Sequence, residues 1–150
     1  MNLSTLRRSA ALAAVPAILL AASTPAEALS SVGLVSVKAV GGSGTVDGSC
    51  AYTATLPDTS NFNQIEVQFS GVAQSTASKV GVAPVSTSIV CFLRNQATGQ
   101  AGITLIGPAA AITGDGSVYR LAPDPEICAT VAAAFSDGTT AGPVTNCHDL

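Results

Sequence analysis

Two stretches of period-two patterning each carry one cysteine on the apolar side, and this pairing narrows the possible folds more than any other feature. In Ser86–Arg94, Ile89, Cys91 and Leu93 fall on one face, while Ser88, Val90, Phe92 and Arg94 fall on the other. In Ser49–Leu56, Cys50, Tyr52, Ala54 and Leu56 oppose Ala51, Thr53 and Thr55. Such alternation, rich in β-branched and aromatic residues, predicts strands with one face in a core. A cysteine on the apolar side of each strand predicts a covalent tie through the middle of a β-fold.

The remaining cysteines, Cys128 and Cys147, bring the total to four. Their redox state follows from the N-terminus. Arg7 and Arg8 form a positive start, Ala10 to Ala22 an apolar run, and Ala26-Glu27-Ala28 a small-residue cleavage site. These are the three parts of a secretory signal, so residues 1–28 are expected to be removed and the mature domain to run from 29 to 150. The apolar run is shorter than the roughly 20 residues of a membrane span. Residues around Arg7 and Arg8 lack the rest of a twin-arginine pattern, and no cysteine follows the apolar run to take a lipid. In an oxidising compartment an even cysteine count predicts two disulfides. Of the three possible pairings, Cys50–Cys91 with Cys128–Cys147 is preferred because each joins segments close in chain order; a Cys50–Cys128 link would redraw the topology. Loop entropy gives each bridge roughly 3–4 kcal/mol. No Cys-x-x-Cys spacing occurs, which removes zinc-ribbon and thioredoxin readings.

Further strands are expected over Leu34–Val40, Phe62–Phe69, Gly102–Gly107, Val118–Leu121, Ile127–Phe135 and Val144–Cys147. Within the second of these, Ile65, Val67 and Phe69 alternate with Gln64, Glu66 and Gln68. Leu56–Ser60 resembles a sortase signal but lies mid-chain with no apolar tail, and reads as a turn. Gly71–Ser78 and Gly81–Ser88 echo one another loosely and read as a connection or a short edge strand, with Pro84 opposing a central position. Pro108–Ile112 fits either a helical turn or a strand. Gly114-Asp115-Gly116 reads as a hairpin turn. The alanine-rich 128–134 segment suits a helix by propensity, but Thr130 and Val131 and the following Asp137-Gly138 favour a strand, with Cys128 on the face opposite Val131 and Phe135. About seven short strands punctuated by Gly and Pro predict an all-β, immunoglobulin-like antiparallel sandwich stapled by two disulfides.

Composition bears chiefly on function. Charged residues make up 10% of the chain, the net charge is −3, and there is no Trp. Beyond the leader only Lys38, Lys79, Arg94 and Arg120 are basic and none adjoin, which excludes nucleic acid as a partner. The only histidine is His148, third from the end, where a nucleophile and an orienting carboxylate are hard to assemble around it. Asp47, Asp58, Asp115, Asp124, Glu126 and Asp137 fall mostly at turn signals, where Asp serves local backbone bonding. Asp124 with Glu126 lacks the spacing of a calcium loop, and Glu66 lies on a solvent-facing polar row rather than in a carboxylate pair. No catalytic, metal or cofactor site is therefore expected. The absence of Trp weakens carbohydrate binding by stacking.

These features predict a secreted, non-catalytic recognition or structural module with a protein or cell-surface partner and no membrane span in its mature part. Two alternatives stand beside it. One is an inhibitor of secreted proteases, using Ala73–Ala83 or Leu121–Glu126 as its loop. The other is a carrier of a small apolar molecule in the cleft of the sandwich. High Ala, Gly, Thr and Val content fits a GC-rich bacterial source.

Overall fold

A computed structural model of the chain describes residues 30–55, 64–95, 99–121 and 126–150. The proposed leader, Leu56–Ser60 and the Pro123–Pro125 break lie outside the described residues. The described residues form eight strands: β1 (Ser30–Gly41), β2 (Gly44–Thr55), β3 (Gln64–Ala77), β4 (Pro84–Asn95), β5 (Gly99–Gly107), β6 (Ala111–Leu121), β7 (Glu126–Phe135) and β8 (Thr140–Asp149). They build two antiparallel four-stranded sheets: sheet I in the order β1-β2-β3-β6, and sheet II in the order β5-β4-β7-β8.

The alternation that predicts the strands also builds the core. Val35, Val37 and Ala39 of β1, Val46 and Cys50 of β2, and Val67 and Phe69 of β3 point inward from sheet I. Ile89, Cys91 and Leu93 of β4, and Ile127, Val131 and Phe135 of β7, meet them from sheet II. Ile89 and Leu93 are fully buried, and each stabilises the fold by about 1.5–3 kcal/mol. The Cys50–Cys91 disulfide crosses between the sheets at the centre of this layer, with Cα atoms 5.8 Å apart. Cys128–Cys147 instead joins neighbouring strands β7 and β8, whose register places the two residues opposite each other. Cys128 is buried yet lies on the outer face, beside Phe92 on β4. The second bridge is thus a clasp at a sheet edge, as its face assignment implies.

Hairpin geometry follows local chemistry. β1 and β2 are joined through Gly42 and Ser43 alone, and Gly42 has φ +53°. Two-residue hairpins favour such left-handed residues because their twist matches that of the strands. The longer β7–β8 turn, residues 136–139, also uses a left-handed glycine, Gly138 at φ +82°.

The structure corrects several expectations of chain organisation. Gly114-Asp115-Gly116 is not a turn: it lies inside β6, where Asp115 pairs with Ser70, and neither glycine has a positive φ. Side chains of sheet II occupy the space a Cβ would need, Leu105 Cδ2 at Gly114 and Ile103 Cγ2 at Gly116. Gly71–Ser78 is not a connection: through Ala77 it continues β3, pairing with β2 as far as Gly44. Gly81–Ser88 is no edge strand either: Pro84 opens β4, an inner strand of sheet II between β5 and β7, and stands just before a register shift against β7, where a missing N–H disturbs the ladder least. Of the ambiguous Pro108–Ile112 run, residues 108–110 form a bend between the sheets and β6 begins at Ala111.

Candidate functional site

The outer face of sheet I spans four strands in continuous register. Register places Leu34, Ala51, Ser70 and Asp115 in one row across its four strands. Val32, Thr53, Gln68 and Ser117 form the row on one side. Ser36, Ser49, Val72 and Thr113 form the row on the other. Small side chains here leave two open hollows. One, of about 480 Å³, lies among Ser36, Lys38, Asp47, Ser49, Val72 and Gln74. The other, of about 520 Å³, lies among Val32, Ala51, Thr53, Gln68, Ser70 and Asp115.

Charge is sparse on this face. Lys38 Nζ lies 3.2 Å from Asp47 Oδ1 with both side chains more than half exposed, a pair worth little in water. Val32, Leu34 and Val72 are exposed apolar residues among hydroxyl and amide groups. Glu66 and Asp115 are the other charged residues among its described side chains, so the face mixes exposed apolar with neutral polar groups and few charges. The outer face of sheet II carries a smaller hollow, about 260 Å³, among Ser86, Ser88, Ala132, Ala134 and Thr140.

Candidate chemical groups are dispersed. His148 is exposed on β8, within the strand rather than on a loose tail. Asp47, Asp115 and Glu126 lie on strands, contrary to the turn assignment, because the glycines beside Asp47 and Asp115 serve packing rather than chain reversal. Asp58 and Asp124 lie outside the described residues. Glu126 accepts from Arg94, whose Nε is 2.6 Å from Oε2, so its carboxylate is already engaged. Glu66 is half-buried on the outer face of β3, in the polar row anticipated for it. Among the described residues no three His, Cys, Asp or Glu side chains converge as a metal site.

Among the described residues, Asp137 is the turn carboxylate with the most hydrogen bonds. Its Oδ2 accepts from Ser43 Oγ, and its Oδ1 accepts from Thr139 N at 3.1 Å and Thr139 Oγ1 at 2.7 Å. Thr139 Oγ1 in turn accepts from Ser43 N at 3.0 Å. Ser43 is fully buried in the β1–β2 hairpin, so this network locks that hairpin to the β7–β8 turn. The Ser43 hydroxyl first, then Thr139, hold the Asp137 carboxyl down from 3.8 to about 2. Sequence reading found Asp137 as a turn residue, but nothing local marked Ser43, 94 positions earlier, as its partner.

The inhibitor and carrier alternatives gain little from this geometry. The first candidate loop, Ala73–Ala83, is strand as far as Ala77. Its tip is a tight turn in which Val82 N donates to Lys79 O at 3.3 Å around Gly81 at φ +78°. A tight turn does not offer the extended backbone that strand-like docking requires. In the second, Leu121–Glu126, residues 122–125 lie outside the described residues. Space between the sheets is filled where glycine thins sheet I: a Cβ on Gly48 would collide with Val131 Cγ1, and one on Gly44 with Phe135 Cζ. The hollows described above lie on outer faces instead. No helix among the described residues is long and apolar enough to cross a membrane. No family model, curated protein or solved structure matches the chain significantly.

Proposed function

We propose that this chain is an exported, non-catalytic recognition module that engages a protein or cell-surface partner through the outer face of sheet I. The observation that carries the reading is the row structure of that face: four strands in continuous register, few charges, and two adjoining hollows floored by small side chains. Such a face accepts side chains of a partner without displacing its own. Two disulfides among the described residues suit an oxidising, extracellular-type environment, which supports export by the leader at residues 1–28. The immunoglobulin-like comparison concerns architecture, two facing antiparallel sheets with a buried inter-sheet disulfide. It does not extend to strand order, since β1, β2 and β3 follow one another within one sheet.

The test is capture from surface and culture extracts of the source cells with the secreted chain as bait, run beside Ser70→Lys on sheet I and Thr145→Lys on sheet II. A partner retained by the wild type and by Thr145→Lys but lost with Ser70→Lys is expected. Equal retention by all three, or a hydrolytic activity removed by substituting one carboxylate, would overturn the reading.

A further inference from the structure

The two disulfides differ in what surrounds them. Cys50 and Cys91 are both fully buried between the sheets. Cys128–Cys147 lies on the outer face of sheet II, where neighbouring antiparallel strands set its two residues directly opposite each other. Cys128 is fully buried, with Phe92 beside it on β4. Cys147 is partly exposed, and its strand, β8, is the last of sheet II. Exchange needs a thiolate to reach a disulfide sulfur, so access decides which bridge reacts. β8 also adds little to the core. Ala141 is its one buried residue, Val144 is 40% exposed, and Thr145, Asn146 and His148 are exposed as well. The strand is held instead by its ladder to β7, which is interrupted between Val131 and Ala133, by a Thr130–Thr145 hydroxyl pair at 2.7 Å, and by the disulfide. On its other side it borders β1 across the seam between the sheets, where Asn146 Nδ2 donates to Ser36 O at 2.8 Å.

We propose that Cys128–Cys147 is a thiol-exchange site: a dithiol reductant opens it in the folded protein, and its opening frees the last strand from Val144 onward. One thiolate of the dithiol attacks Cys147 Sγ. The Sγ–Sγ bond breaks, and its electron pair leaves on Cys128 Sγ, which takes a proton. The second thiolate of the reductant then attacks the reductant's own sulfur in the mixed disulfide and releases Cys147 as a thiolate, which is protonated in turn. The reductant ends as an internal disulfide, and the protein gains two thiols. Burial of the leaving sulfur opposes the first step, since it raises the pKa of the departing thiol. Access outweighs this, because attack on the enclosed Cys128 Sγ would need the strand to open beforehand. Once the bridge is open, nothing covalent holds residues 144–150 in place, and little apolar area is lost when they leave. Terminal segments with few buried contacts open at the lowest cost. The seam bond made by Asn146, the neighbour of Cys147, is lost with them. Cys50–Cys91 stays closed, because its sulfurs are reached only when the sheets separate.

The site is tested by incubating the oxidised chain with dithiothreitol at neutral pH, quenching with N-ethylmaleimide and mapping the labelled peptides. Cys128 and Cys147 should be labelled at least about tenfold faster than Cys50 and Cys91. Glutathione, a monothiol that cannot close on itself, tests which sulfur is attacked: early quenching should find its adduct on Cys147 and maleimide on Cys128. Hydrogen exchange of the protein reduced at this bridge alone should be at least about tenfold faster over residues 144–149 than in the oxidised protein, and unchanged at the centres of β2 and β3. Equal labelling of all four cysteines, a glutathione adduct on Cys128 instead of Cys147, or unaltered exchange along β8 would overturn the proposal.

Discussion

Asp137 shows how much one exposed carboxylate can organise when its partner is buried. Its pKa falls from 3.8 to about 2 because Ser43 and Thr139 donate to the charged form. A depressed folded-state pKa contributes stability above the unfolded value, and that stability is lost as pH falls through the folded one. The wild type should therefore lose stability between about pH 4 and pH 2. Asp137→Asn should be less stable at pH 7 and lose less stability than the wild type across that window. Urea midpoints at pH 7, 4 and 2.5 check both halves, and parallel acid limbs for the two proteins would count against the lock. Ser75 and Thr87 show the complementary case, a hydroxyl pair at 2.6 Å buried between β3 and β4. Thr87→Val leaves Ser75 Oγ without that partner, and denaturant unfolding should show a loss of about 1–3 kcal/mol.

Strands of sheet I are thinned by glycine where sheet II is bulky. Gly48 lies under Val131, Gly71 under Leu105 and the disulfide sulfur of Cys91, and Gly116 under Ile103. A methyl group at Gly48 has no room, so Gly48→Ala should destabilise by about 1–3 kcal/mol through overpacking. Combining it with Val131→Ala should give a loss smaller than the sum of the two singles, because each change relieves the other. Additive losses in denaturant titrations would show that the glycine is not there for the valine. This is also why Gly114-Asp115-Gly116 misleads when read along the chain. Glycine permits a chain reversal, but its missing Cβ also admits a large neighbour against a strand, and only that neighbour distinguishes the two.

Over the whole molecule, the two disulfides do different work. Cys50–Cys91 closes a separation of 41 residues across the core, and Cys128–Cys147 closes 19 within one sheet. Loop entropy favours the first only modestly, roughly 4 against 3 kcal/mol. Burial widens the gap, since both core sulfurs are fully enclosed and their removal leaves a cavity between the sheets. The double variant Cys50→Ala/Cys91→Ala should thus unfold at a clearly lower temperature than Cys128→Ala/Cys147→Ala, as calorimetry would show. What the sequence by itself determined is whatever depends on alternation and spacing: the inward faces of the β2, β4 and β7 strands, the core position of Cys50 and Cys91, and the outer-face position of Cys128. Period-two patterning is local, and a strand must obey it wherever it is placed. Which sheet each strand joins, the fit of Gly116 beneath Ile103, the reach of Asp137 to Ser43, and the rows that make up the candidate face came only from the tertiary structure. Each depends on which residues meet across the two layers, and a single strand's sequence carries no record of its neighbour in the facing sheet.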